Sequence, residues 1–132
     1  MEMKSRRYFL FFVLAGAGCR GSHQKDLLPM TLGEFRRIAV ENVPAEEHAP
    51  DLKKRGLKQA RRAIYQRSGR FTVTVNEMGA QAVAFEMVQR WKPESRKIVF
   101  HEGPYFVVLE SESNDAAGMN ALAAALEGSL KQ

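Results

Sequence analysis

A duplicated pattern limits this chain more than any other feature. Residues 64–91 read strand, turn, strand, helix, and residues 98–126 read the same again. The first hairpin turns at Arg67-Ser68-Gly69-Arg70 and the second at His101-Glu102-Gly103-Pro104, each with a glycine for unusual backbone angles. Phe71, Val73 and Val75 alternate with Thr72, Thr74 and Asn76, as in a strand with one wet face. Tyr105, Val107 and Leu109 hold the matching positions in the second unit. Phe106 and Val108 between them are apolar too, so that strand is expected to lie centrally or to be covered on both faces.

Each unit ends in a helical stripe, Ala84, Phe85, Val88 and Trp91 in one, Met119, Leu122, Leu126 and Leu130 in the other. Phe85 aligns with Met119 and Val88 with Leu122. Pro93 pushes Lys92 out of helical geometry and ends the first helix near Trp91. Ser113 or Asn114 suits the N-cap of the last helix, with Asp115 near its positive end. The fold class expected is α+β, a four-stranded antiparallel sheet with two helices packed on one face.

Ahead of the repeat, Thr31 and Glu34 have capping-box spacing, while residues 35–40 fit a fifth, edge strand, the preferred reading. Pro50-Asp51-Leu52-Lys53-Lys54-Arg55-Gly56 describes a short helix with proline and acid first, bases last and a closing glycine.

The N-terminus has a different character. Lys4, Arg6 and Arg7 precede an uncharged run from Tyr8 to Leu14, then Ala15, Gly16, Ala17 and Gly18. These are the three parts of a secretory signal. The run is shorter than the roughly 20 residues of a spanning helix. Residues 1–18 are therefore expected to be an export signal, 19–26 a flexible tether, and 27–132 one domain.

Cys19 is the only cysteine. Small residues followed by cysteine resemble the lipobox of bacterial lipoproteins, in which the thiol takes a diacylglycerol. The usual leucine three places earlier is Gly16 here, so ordinary cleavage after Ala17 is the competing reading, with a soluble secreted or periplasmic product. A lone free thiol on an exported protein invites wrong pairing, which lipidation prevents. The reading preferred is a lipid-anchored envelope protein, its membrane partner held through Cys19.

Several segments resemble a family of exported bacterial proteins defined by a domain of unknown function. They are Leu27-Leu28-Pro29, Arg61-Arg62-Ala63-Ile64-Tyr65, Val73-Thr74-Val75-Asn76-Glu77-Met78, Ala84-Phe85-Glu86 and Gly103-Pro104-Tyr105-Phe106-Val107-Val108. The resemblance implies a small lipoprotein-like α+β domain and brings no catalytic residue with it.

Candidate chemistry is sparse. His23, His48 and His101 have no metal-ligand spacing, and no serine sits in a hydrolase elbow. His101 beside Glu102 lacks a positioned nucleophile. Glu77 and Glu86 fall on different elements, and Glu86 follows a stripe residue toward water. The glycines from Gly16 to Gly21 belong to the leader and open no phosphate cradle. No cofactor or metal is expected, and the function expected is a non-catalytic binding or assembly module with an envelope protein partner. The alternative is a small-ligand or substrate-processing domain with a pocket between sheet and helices, lined by Tyr65 and Trp91; both, with Phe85, also fit an ordinary core.

The chain carries a formal charge of +5, and its bases bunch at Lys53, Lys54, Arg55, Lys58, Arg61 and Arg62. This cluster is a candidate contact for anionic lipid headgroups. The alternative is a solvated face whose charges pair with Glu46, Glu47 or Asp51. Export argues against nucleic acid.

Overall fold

The computed structural model describes residues 26–131; the leader, Cys19 and nearly all of the tether lie outside them. Apolar alternation builds strands β1 (Thr31–Leu32), β2 (Phe35–Asn42), β3 (Gln59–Gln66), β4 (Arg70–Glu77), β5 (Lys97–Glu102) and β6 (Tyr105–Ser111). Three helices accompany them, α1 (Pro50–Lys54), α2 (Gln81–Arg90) and α3 (Ala116–Leu130), with a 3₁₀ turn at Ala45–Glu47. The strands form one antiparallel sheet in the order β1-β2-β3-β4-β6-β5. The α+β class with an antiparallel sheet is as expected, but the sheet has six strands rather than four or five.

The added strands come from the N-terminal stretch. Gly33, at φ +60°, reverses the chain between β1 and β2, and the Arg37 N–H donates to the Met30 carbonyl at 2.8 Å beyond the turn. Thr31 and Glu34 thus flank a tight hairpin and cap no helix. A register shift between Arg37 and Ala39 bulges β2, leaving Ile38 exposed. The predicted turns hold in place but differ in length. Arg67, Ser68 and Gly69 link β3 to β4, with Ser68 at φ +64°, whereas Gly103 and Pro104 alone link β5 to β6. His101 and Glu102 are strand residues, since Gly103 at φ +57° completes the shorter turn.

The duplication is honoured in the sheet. Val73 pairs with Leu109 and Val75 with Val107, so equivalent positions of the two units exchange partners across the β4–β6 junction. The helices do not follow. Met119, Leu122, Leu126 and Leu130 of α3 pack on Phe71, Val73, Val75, Val107 and Leu109, joined by Leu28, Leu32, Phe35 and Tyr65. Ala84 and Met87 of α2 pack with Met78 and Phe106, bordered by Val99, Val108 and Trp91. Neighbouring residues of a strand point to opposite faces, so Phe106 and Val107 place α2 and α3 on opposite sides of the sheet.

The expectation of both helices on one face is therefore corrected. β6 is apolar on both faces, and leaving Phe106 in water would forgo roughly 1.5–3 kcal/mol. Met78 continues the β4 alternation onto the Phe106 face and leads the chain into α2. The longer link after β6, residues 112–115, returns the chain to the other face. The α2 stripe shifts accordingly: Met87 is buried, and Phe85 is 47% exposed, edge-on to the His101 ring at 5.4 Å. The cap of α3 also moves, because the Asp115 carboxylate accepts from the Gly118 N–H at 2.8 Å. Ser113 instead donates its N–H to the Ser111 hydroxyl at 3.1 Å.

Candidate functional site

On the α2 face the sheet is only partly covered, and a cavity of about 280 Å³ opens beside the helix. Its floor is Ala60, Thr74, Asn76, Phe106 and Val108 from three adjacent strands. Met87 of α2 and Trp91 just past its end form one wall; Val43, His48 and Leu52 of the arm between β2 and β3 form the other. Trp91 and Phe106 lie 5.8 Å apart at 56°, giving the cavity an aromatic corner.

The arm is local chemistry at work. Pro50 starts α1 where no N–H is needed, and Gly56 at φ +92° ends it, with the Leu57 N–H donating back to the Leu52 carbonyl at 3.0 Å. His48 Nε2 lies 3.0 Å from the Val43 carbonyl; a carbonyl only accepts, so this nitrogen carries the proton and the ring fastens the arm to its own first residue, just past β2. Arg55, just past α1, joins Asp51 at 3.5 Å and reaches Glu86 of α2 at 3.0 Å, linking the two walls.

The polar rim is internally satisfied. Arg62 donates through Nε and Nη2 to Glu41, at 2.9 and 2.6 Å, and Nη2 stands 3.4 Å from Glu47. The Glu41 hydrogen bond, outweighing partial burial, raises the guanidinium pKa further above its ordinary value. Asn76, only 4% exposed, donates from Nδ2 to the Phe106 carbonyl at 3.1 Å. The Trp91 indole N–H is buried and has no hydrogen-bond partner among the described residues.

The basic cluster does not converge. Arg61 and Arg62 point to opposite faces of β3, since Arg61 stands opposite Val75 and Arg62 opposite Thr74. Arg55 and Arg62 are held by acids, including Asp51 and Glu47, while Lys53, Lys54 and Lys58 are exposed without ion pairs among the described residues. Tyr65 and Trp91 belong to opposite faces and line no common cavity. Glu77 accepts from Gln59 at 2.7 Å and Glu86 pairs with Arg55, so those carboxylates stand in separate networks.

Met87, Asn76 and Val43 were not singled out by the sequence reading. Asn76 sits on the polar side of the β4 alternation, and only the apolar Phe106 and Val108 across the ladder signalled that this side is covered.

Among the described residues no group of three or more His, Cys, Asp or Glu side chains gathers at metal-binding distance, and no helix is long and apolar enough to cross a membrane. Comparison of the chain with protein-family models, curated proteins and solved structures yields no match.

Proposed function

We propose that the chain is an exported, lipid-anchored binding module of the cell envelope, whose α2-face cavity receives an apolar group of a partner protein. The leader and Cys19 support the location. The observation that carries the binding role is the cavity, a floor in which Ala60, Phe106 and Val108 surround Thr74 and Asn76, beneath a rim whose charges are already paired. Small-molecule sites usually span about 300–1,000 Å³. At about 280 Å³ the cavity suits a side chain or a fragment better than a cofactor. Its one histidine is committed to a backbone carbonyl, which favours binding over reaction. A small ligand is the second reading, supported by the Trp91 N–H, which has no hydrogen-bond partner among the described residues.

Photo-crosslinking in the native host tests this. A photoreactive phenylalanine analogue at Val43 or Leu52 is expected to capture a protein-sized adduct, and the same analogue at Glu127 none. A small mass adduct would favour the second reading, and no adduct from either pocket position would end both. Intact mass of the native protein tests the anchor, which predicts loss of residues 1–18 and a lipid on Cys19.

A further inference from the structure

A second apolar feature of the domain lies away from the cavity, where the chain enters. Met30 is 62% exposed and Ile38 44%, and both sit on the β1–β2 edge of the sheet. Phe85, the remaining large exposed apolar side chain among the described residues, lies on α2. Arg36 pairs across the ladder with Gln66, and Gln66 with Arg70, so both arginines flank one residue at the same end of the sheet. Each is exposed and without an ion pair among the described residues. Arg37 and Arg67 stand nearby but are engaged, Arg37 with the Leu28 carbonyl and Arg67 with the Phe35 ring and Glu34. Carboxylates near this end include Asp26, Glu34 and Glu112, the last with its N–H on the Arg70 carbonyl at 3.2 Å; none of the three forms an ion pair with Arg36 or Arg70 among the described residues.

The point of entry decides what such a surface meets. Asp26 begins the described chain, seven residues beyond Cys19, a span of at most about 25 Å when fully extended. Leu27 and Leu28 are buried immediately afterwards, so no slack is added on the domain side. On the reading that Cys19 carries lipid, this edge is held at the bilayer surface at high effective concentration.

We propose that the β1–β2 edge is a membrane-contact surface: Met30 and Ile38 enter the headgroup region while Arg36 and Arg70 meet the phosphates of anionic lipids. The inference rests on the anchored reading and selects one orientation, with the α2-face cavity's arm at the far end of β3. It also moves the lipid contact away from Lys53, Lys54, Arg55, Lys58, Arg61 and Arg62.

The test uses the mature lipidated protein from its host in vesicles of phosphatidylcholine with or without phosphatidylglycerol. An environment-sensitive dye is attached through Met30→Cys, Ile38→Cys or, as reference, Phe85→Cys. The expected result is a blue-shifted emission at Met30 and Ile38 only, dependent on phosphatidylglycerol and weakened by salt. Each neutralised arginine is expected to lower binding about fivefold, so the Arg36→Ala, Arg70→Ala pair should lower it roughly 25-fold in a full-length Cys19→Ser chain added to the same vesicles. Aqueous emission at Met30 in a protein whose mass confirms the lipid would overturn the surface and leave the anchor standing. Native protein whose mass shows no lipid on Cys19, yet which binds the vesicles through Arg36 and Arg70, would do the reverse. Shielding of Met30 that grows with protein concentration without vesicles would show a contact between copies, and the proposal would fall.

Discussion

The Tyr65 hydroxyl donates to the Pro29 carbonyl oxygen at 2.6 Å, joining residues 36 positions apart. The phenol is fully buried beneath the segment that leads in from the tether. Arg37 donates to the neighbouring Leu28 carbonyl, and the Leu28 N–H donates to Asp26, so three bonds hold the entering chain.

Burial raises the Tyr65 phenol well above its ordinary pKa near 10, and burial likewise raises Tyr105. Above pH 10 the unfolded chain loses these protons while the folded one keeps them, so the unfolded state binds fewer and stability must fall as pH rises. Alkaline denaturation curves are expected to decline beyond about pH 10. Tyr65→Phe should flatten that decline and cost about 1 kcal/mol at neutral pH. An unchanged alkaline slope in the variant would contradict the assignment.

Leu28 fills the core where the tether enters, packed in the α3-face cluster. Leu28→Ala is expected to cost about 2–5 kcal/mol in denaturant unfolding. A loss below 1 kcal/mol would mean the entering segment is not part of the folded unit.

The face assignment of α2 is tested by a pair of changes. Met87→Ala should cost about 2–5 kcal/mol and Phe85→Ala well under 1, because only Met87 is buried. The opposite ranking would restore the stripe that periodicity alone selects.

Gly118 sits where α3 crosses β4. A Cβ there would stand 2.9 Å from Phe71 Cζ and 2.7 Å from the capping Asp115 Cγ. Gly118→Ala should therefore destabilise by about 1–3 kcal/mol despite alanine's better helix propensity. Asp115→Ala should cost about 1 kcal/mol by removing the cap. Thermal melts of both would check this; a stabilised Gly118→Ala would sink the close approach.

Much of the architecture was legible locally. Met119, Leu122, Leu126 and Leu130 repeat at helical spacing and are the buried stripe of α3. Pro50 and Gly56 bracket the α1 turn, and the β3–β4 alternation matches its ladder. The cavity was much less legible. It needs Asn76, Met87, Val43 and Phe106 brought together from four separate elements, and none carries a signal of that meeting in its own neighbourhood. The spread of the basic run was illegible for the same reason: adjacency in sequence places Arg61 and Arg62 on opposite faces of a strand.

Which side of its own strand or helix a residue occupies is a matter of short-range repeat, and the chain by itself determined that for β4, β6 and α3. Which side of the sheet each helix covers was decided only when the whole sheet existed. Phe106 and Val107 then demanded cover from opposite directions, and the two links after β4 and β6 delivered α2 and α3 accordingly. Local periodicity has no knowledge of that demand, because it depends on apolar surface contributed by strands far apart in the chain.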